Sequence, residues 1–257
     1  MEKTTATQDS YQIETTSNAD QRENRDSLTD LFNRSPLPEE DKMFNLGMYT
    51  RSTLLVKFLV MDDLYKRIVN IPGNICEFGT WWGQNLVLME NLRAIHEPFN
   101  KQRVILGFDT FEGVPEPKNF DITNNNMSMF DQFKKRLNPD GSSGWINVSI
   151  EQVKKNISEN VKKTNSTLLV KGKVEQTLLK LENIPDKISL LKLDTILYEP
   201  TKIELEKLFN RIHKGGMLII ENYGTYKGIK KAVDEFFINS NYKITYAILT
   251  RRAFIYV

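Results

Sequence analysis

The chain has 257 residues, 40% of them hydrophobic and 26% charged, which is ordinary globular usage with enough apolar material for a sizeable core. Thirty-five basic side chains against 33 acidic ones leave a net charge of +2, which argues against a dedicated nucleic-acid binder. One cysteine, Cys76, excludes an internal disulfide framework and fits a reducing compartment. No apolar run reaches the ~18 residues of a membrane span, and the polar start MEKTTATQDS has no apolar signal core, so the sequence reads as a soluble, cytoplasmic protein.

Residues 1–40 hold four basic and nine acidic side chains but only nine apolar ones, too few to offset the entropy of ordering them. The expectation is a flexible polar tail over 1–38, closed by Ser35-Pro36-Leu37-Pro38. A lid or partner segment built on Leu28, Leu31 and Phe32 is the alternative. The positive surplus of the body sits partly in helical stretches, at Lys154, Lys155, Lys162 and Lys163. It reads as a solvated face, with attraction of an anionic substrate as the competing explanation. One domain over 39–257 follows, opening with a helical lid segment over 39–70, where Leu54, Leu55, Phe58, Leu59 and Leu64 recur at helical spacing.

Ile71-Pro72-Gly73 stops that helix, and a short strand over 74–79 ends in glycine. Then come a helix over 84–97, a strand over 103–109 ending in an acid, a long loop over 110–127, and helical segments near 128–137 and 149–163. Ser149 with Gln152 gives the last of these a capping-box start. A strand over 167–172, a short helix over 175–181 and a strand over 188–194 precede a helix over 200–213 that Lys214-Gly215-Gly216 closes. A fifth strand over 217–221, a helix over 227–238 and two strands over 242–249 and 252–257, joined near Thr250-Arg251, complete the chain.

Strands alternating with helices predict a parallel sheet covered on both faces, and the two closing strands an antiparallel hairpin at one edge. Ligands of such sheets sit beyond the carboxyl ends of the strands, where Glu77, Asp109, Asp194 and Glu221 fall. In Glu77-Phe78-Gly79-Thr80-Trp81-Trp82-Gly83 the glycines allow close backbone approach, and the following helix offers unpaired amides. A tight packing turn explains the same residues, because the three-glycine dinucleotide pattern is incomplete. Asp109, 30 residues beyond Gly79, is placed to accept hydrogen bonds from both ribose hydroxyls of an adenosine. On these two features alone a nicotinamide cofactor stays open.

Longer segments narrow the choice. Phe108-Asp109-Thr110-Phe111-Glu112-Gly113-Val114-Pro115, the run from Leu193 through Asp194 to Thr201, Gly215-Gly216 and Glu221-Asn222-Tyr223-Gly224 occur in this order. With Ile-Pro-Gly-Asn-Ile-Cys-Glu-Phe-Gly before them and Ala232-Val233-Asp234-Glu235-Phe236 after, they resemble the macrocin-type sugar O-methyltransferases over about residues 43–237. The resemblance implies a Rossmann-like α/β class I methyltransferase fold with a seven-stranded, mostly parallel sheet of order 3-2-1-4-5-7-6. It also implies S-adenosylmethionine as cofactor, a small-molecule acceptor such as a natural-product sugar, and a homodimer. Glu77, Gly79, Thr80, Trp81 and Gly83 would surround the methionine end, and Asp109, Thr110 and Phe111 the ribose and adenine. Thr50 and Arg51 would reach the cofactor from the N-terminal helical segment, and Ser149 and Glu175 are further adenine-side candidates.

The resembled family also binds a divalent metal through Asp-x-Asp after the fourth strand and Asp-Asp-Tyr after the fifth. Here the first Asp is Asp194, the catalytic candidate, but the second, the family's proposed general base, is Ile196, and the later pair is Glu221-Asn222. Asp194, Glu221 and Asn222 still offer three oxygen ligands to Mg2+. No lysine base follows Asp194, since Leu197 and its neighbours provide none. Trp82 replaces a family arginine, His96 reads as a helix-face residue, His213 as a helix C-terminal one, and Cys76 as an inert buried thiol. A cofactor-binding protein that has lost turnover is the competing reading, motivated by Ile196.

Overall fold

The apolar runs become strands β1 (Asn74–Phe78), β2 (Ile105–Asp109), β3 (Thr167–Lys171), β4 (Ile188–Leu193), β5 (Ile212–Ile220), β6 (Thr245–Ala247) and β7 (Arg252–Tyr256). In the computed structural model they form one seven-stranded sheet of order β3-β2-β1-β4-β5-β7-β6. The first five strands are parallel, and β7 runs antiparallel to both β5 and β6. This is the class I methyltransferase order expected from the resemblance. The structure describes residues 19–161, 166–247 and 252–257. The expectations for the first 18 residues, for Lys162 and Lys163, and for the turn at Thr250-Arg251 lie outside them.

The described residues fall into two compact units, one up to Met61 and one from Asp62 onward. In the first, residues 19–34 form a helix, α1 (Ala19–Arg34), where the sequence predicted a flexible tail. Local pairing accounts for the difference. Phe32 meets the edge of Tyr49 at 5.0 Å, the Tyr49 hydroxyl donates to Ser35 Oγ at 2.5 Å, and the Arg51 guanidinium donates to Asn24 at 2.7 Å. The helical segment expected over 41–70 is broken into α2 (Glu39–Phe44), a 3-10 turn and α3 (Ser52–Ile68), the last crossing the boundary between the units.

In the second unit the sheet is flanked by α4 (Gln84–His96), α5 (Met129–Lys134), α6 (Ile150–Asn160), α7 (Val174–Thr177), α8 (Tyr198–Leu208) and α9 (Lys227–Phe237). β4 is buried throughout and β1 from Ile75 onward, as parallel strands between helical layers should be. Phe78 and Phe108 stack across β1 and β2 at 4.2 Å, and Cys76 is buried with its thiol pushed up by burial alone. The expected helix end at Lys214-Gly215-Gly216 is corrected. The helix stops at Leu208, β5 already starts at Ile212, and His213 and both glycines lie inside that strand. Gly215 takes a φ of +88° there and donates to the Val257 carbonyl, so a bulge rather than a cap explains the pair.

At the amino-terminal edge of the sheet, buried Arg103 ties the strands to the end of α3. It pairs with Glu97 at 2.7 Å and donates to Ser189 Oγ and to the carbonyls of Ile68, Val69, Ile71 and Gly73. The opposite edge is left for function.

Candidate active site

At the carboxyl edge, β1 runs into Gly79, whose φ of +79° suits glycine. A Cβ there would lie 2.4 Å from the Asp194 carbonyl oxygen, so only glycine lets the two strand ends close on each other. Gly79 N–H donates to Phe108 and Asp194 N–H to Phe78, both at 2.8 Å. The turn continues through Trp81 (φ +49°) to Gly83 (φ +79°), the N-cap of α4.

Asp109, the last residue of β2, organises this turn. One carboxylate oxygen accepts from Trp81 N–H at 3.0 Å and Thr80 Oγ1 at 3.5 Å. The other accepts from Phe111 N–H at 3.0 Å and Thr110 Oγ1 at 3.3 Å. Two backbone positions with positive φ, Trp81 and Phe111, are thus held by one acid that stays half-buried. Glu77, Gly79, Thr80, Trp81, Gly83, Asp109, Thr110 and Phe111 therefore gather around one edge of the sheet. Ser149 caps α6 through Gln152 N–H, and Asn156 of that helix donates to the Trp82 carbonyl at 3.0 Å. Glu175 is exposed in the first turn of α7. Thr50 and Arg51 belong to the N-terminal unit, where the Thr50 hydroxyl donates to the Leu46 carbonyl.

The largest departure from the sequence reading is a buried charge. Lys192 stands directly across from Glu77 in the β1–β4 register, and the two-residue period of the strand turns it to the same face as Asp194. Its ammonium, wholly buried, lies 3.0 Å from Glu77, 3.3 Å from Glu221 and 3.5 Å from Asp194. Arg252, at the start of β7, sits 2.7 Å from Glu221. Asn222, with φ +57°, donates its amide to Asp194 Oδ1 at 3.0 Å. The lysine sought after Asp194 stands two residues before it. A charged residue in the otherwise apolar run Ile-Ser-Leu-Leu-Lys-Leu was the available signal, since burying it unpaired is prohibitive.

Burial opposes the Lys192 charge, but the surrounding carboxylates keep the ammonium protonated well above the usual lysine range. Burial likewise opposes ionisation of Glu221, yet Lys192 and Arg252 hold its carboxyl below the ordinary value. Glu77 is pushed up by burial against the pull of Lys192 and Asn85, and its Oε2 has no partner among the described residues. Asp194 is pushed up to about 7 by burial, with Lys192 working the other way. Behind it, buried Glu204 of α8 accepts from the Thr195 hydroxyl at 3.3 Å, and burial raises its carboxyl to about 8.

Asp194, Glu221 and Asn222 do converge, but not as a cation site. Asp194 and Glu221 already face Lys192, Glu221 also faces Arg252, and Asn222 presents a donor to Asp194. Mg2+ requires oxygen donors free to approach to roughly 2.1 Å in octahedral array. Among the described residues no three His, Cys, Asp or Glu side chains are grouped to hold a metal. The side chains as they stand do not fit Mg2+, because buried cations that the sequence pattern did not reveal lie between the acids.

The loop over 110–127 forms an ordered rim. Asp121 accepts from Tyr198 N–H at 2.8 Å, Asn124 N–H donates to Thr225 at 3.0 Å, and Lys227 N–H donates to Ile122 at 2.9 Å. It is thereby stitched to the segments that follow both β4 and β5. Ile196 lies in this rim, nearly buried and in the left-handed region at φ +57°. That backbone is rare for a β-branched residue.

The profile of the macrocin O-methyltransferase family matches residues 58–249. The chain belongs to this family. Relatives of this macrocin-family protein include a demethyldecarbamoylnovobiocin O-methyltransferase of Streptomyces niveus, 27% identical over 65% of this chain and 59% of the other. An 8-demethyl-8-(2,3-dimethoxy-alpha-L-rhamnosyl)-tetracenomycin-C 4'-O-methyltransferase of Streptomyces olivaceus is 26% identical over 60% of this chain and 54% of the other. The chain thus spans less than two thirds of the length of these curated relatives. A calicheamicin methyltransferase crystal structure superposes with a TM-score of 0.73 at 26% identity, covering 94% of each chain.

Proposed function

We propose that this macrocin-family protein transfers the methyl group of S-adenosylmethionine to a hydroxyl of a small molecule, a sugar or glycosylated natural product. The observation that carries the reading is Asp109, a half-buried carboxylate held at the strand end beside a glycine turn whose other side abuts Asp194. In this reading Asp109 takes the ribose hydroxyls, flanked by Thr110 and Phe111. The unpartnered Glu77 Oε2 accepts from the methionine ammonium, and Gly79, Thr80, Trp81 and Gly83 shape that end. Thr50, Arg51, Ser149 and Glu175 complete the cofactor set, in a soluble, cytoplasmic homodimer.

The cofactor supplies an electrophilic methyl sulfonium. The protein's share is to hold the acceptor oxygen in line with it, where positioning provides much of the rate. Bound there, the cofactor would give up that methyl group to the acceptor oxygen and become S-adenosylhomocysteine, and Asp194, a quarter-exposed carboxylate pushed up to about 7, would take the acceptor proton. Calorimetric titration with S-adenosylhomocysteine is the first test, and no heat of binding removes the proposal. Assays on nucleotide-linked and natural-product-linked sugars are the second. Turnover should rise with pH through about 7 and vanish in Asp194→Ala.

Ile196 favours one other reading, a cofactor-binding protein without turnover, because an aliphatic side chain stands where the resembled family has its base. That protein would bind S-adenosylhomocysteine and methylate none of these acceptors.

A further inference from the structure

The family resemblance implies a divalent metal, yet of the three side chains that would hold it Asp194 and Glu221 are engaged with cations of the chain itself, and Asn222 turns its amide donor to Asp194. Lys192 has no route to solvent, being wholly buried on a central strand between Glu77 on one side and Glu221 on the other. Arg252 fixes Glu221 from the antiparallel neighbour β7. A divalent ion among Asp194, Glu221 and Asn222 would share those carboxylates with an ammonium 3.3 to 3.5 Å from them, against like-charge repulsion.

We infer that Lys192, braced by Arg252, permanently occupies the cationic position beside Asp194 and Glu221, so that methyl transfer by this chain is metal-independent. The inference rests on the proposed activity only for its kinetic part. Lys192 acts here as a positioning residue. Its charge fixes Asp194 and Glu221 relative to each other and to Glu77, and it takes no proton from the acceptor. The arrangement also accounts for the change from a paired acid to Glu221-Asn222. With an internal cation present, a further carboxylate would be uncompensated, whereas the Asn222 amide donates to Asp194.

The test is Mn2+ titration by electron paramagnetic resonance, with and without S-adenosylhomocysteine, on the wild type and on Lys192→Met. The wild type should take up no Mn2+ at millimolar concentrations. Lys192→Met, which removes the resident charge but keeps the apolar stem, should gain a site that Asp194→Asn then abolishes. A structural lysine whose loss merely loosened the core would not create one. Wild-type Mn2+ binding that Mg2+ displaces and Asp194→Asn removes overturns the inference. So does a folded Lys192→Met variant that takes up no metal. If Lys192→Met does not fold, the wild-type titration decides, together with turnover in chelator, which should be undiminished. Loss of turnover in chelator, restored by Mg2+, refutes metal independence. Failure to bind S-adenosylhomocysteine refutes the proposed activity instead, and the metal titration still reads out.

Discussion

Asp109→Asn is the sharpest probe of the cofactor site, because the geometry makes an ordinarily mild change severe. Both carboxylate oxygens accept from backbone N–H groups, Trp81 on one and Phe111 on the other. A carboxamide can satisfy only one of them, since its NH2 must face the second donor. If the NH2 faces the exposed Trp81 turn, water can take over the lost bond, whereas if it faces buried Phe111 the unsatisfied N–H costs about 1–3 kcal/mol. Any ribose hydroxyl bound to the carboxylate loses a charge-assisted partner as well. The combined loss of affinity for S-adenosylhomocysteine should be about 1.5–3 kcal/mol, roughly ten- to a hundredfold in Kd. Asp109→Ala should fall in the same range. Calorimetry on both variants, beside denaturant unfolding of each, separates binding from folding. An Asn variant that binds like the wild type would show that the two backbone donors do not both depend on this carboxylate, and would place the adenosine elsewhere.

Ile196→Asp exchanges a buried apolar side chain, worth about 1.5–3 kcal/mol, for a residue that tolerates the left-handed backbone, so a net destabilisation of about 1–2 kcal/mol is expected by urea titration. With Asp194 as the base, the same variant should leave turnover on a sugar hydroxyl unchanged in a folded, cofactor-binding protein, and a marked rise would show that the base was lacking and refute the role given to Asp194. Glu204 has a folded pKa raised to about 8, so the native state binds a proton that the unfolded chain has released. Stability should therefore fall as pH rises from about 4.5 towards 8, and Glu204→Gln should flatten that slope; an unaltered slope refutes the assignment. Arg103→Ala leaves Glu97 buried without its cation and should cost about 3–5 kcal/mol in chemical denaturation, with a loss below ~1 kcal/mol counting against the network.

What was legible in the chain was what local pattern encodes. Parallel strands buried on both faces read as continuous apolar runs, and the acids at their ends, Asp109 and Asp194, stood out because each closed such a run. Lys192 was hidden by the same logic, since a lone lysine inside a strand looks like a solvated side chain until the register sets Glu77 opposite it. Arg252 is further off in sequence, and only the antiparallel pairing of β7 with β5 brings it to Glu221. The helix at Ala19–Arg34 escaped a reading based on apolar content because its support comes from Phe32, Tyr49 and hydrogen bonds among polar residues. A glycine pair such as Gly215-Gly216 punctuates a helix end in sequence, but a bulge within a strand uses it equally well.

The contact between Gly79 and the Asp194 carbonyl constrains redesign. A methyl group at position 79 would have to displace the backbone that carries the acid, so the turn assigned to the cofactor and the residue assigned to the acceptor move as one piece. A change of acceptor is therefore better sought in the rim than at this junction. There the Asp121 carboxylate, with the main-chain bonds of Asn124 and Lys227, carries the shape. A library built to change the acceptor should randomise the exposed positions of that rim and leave Gly79, Asp121 and Asp194 as they stand.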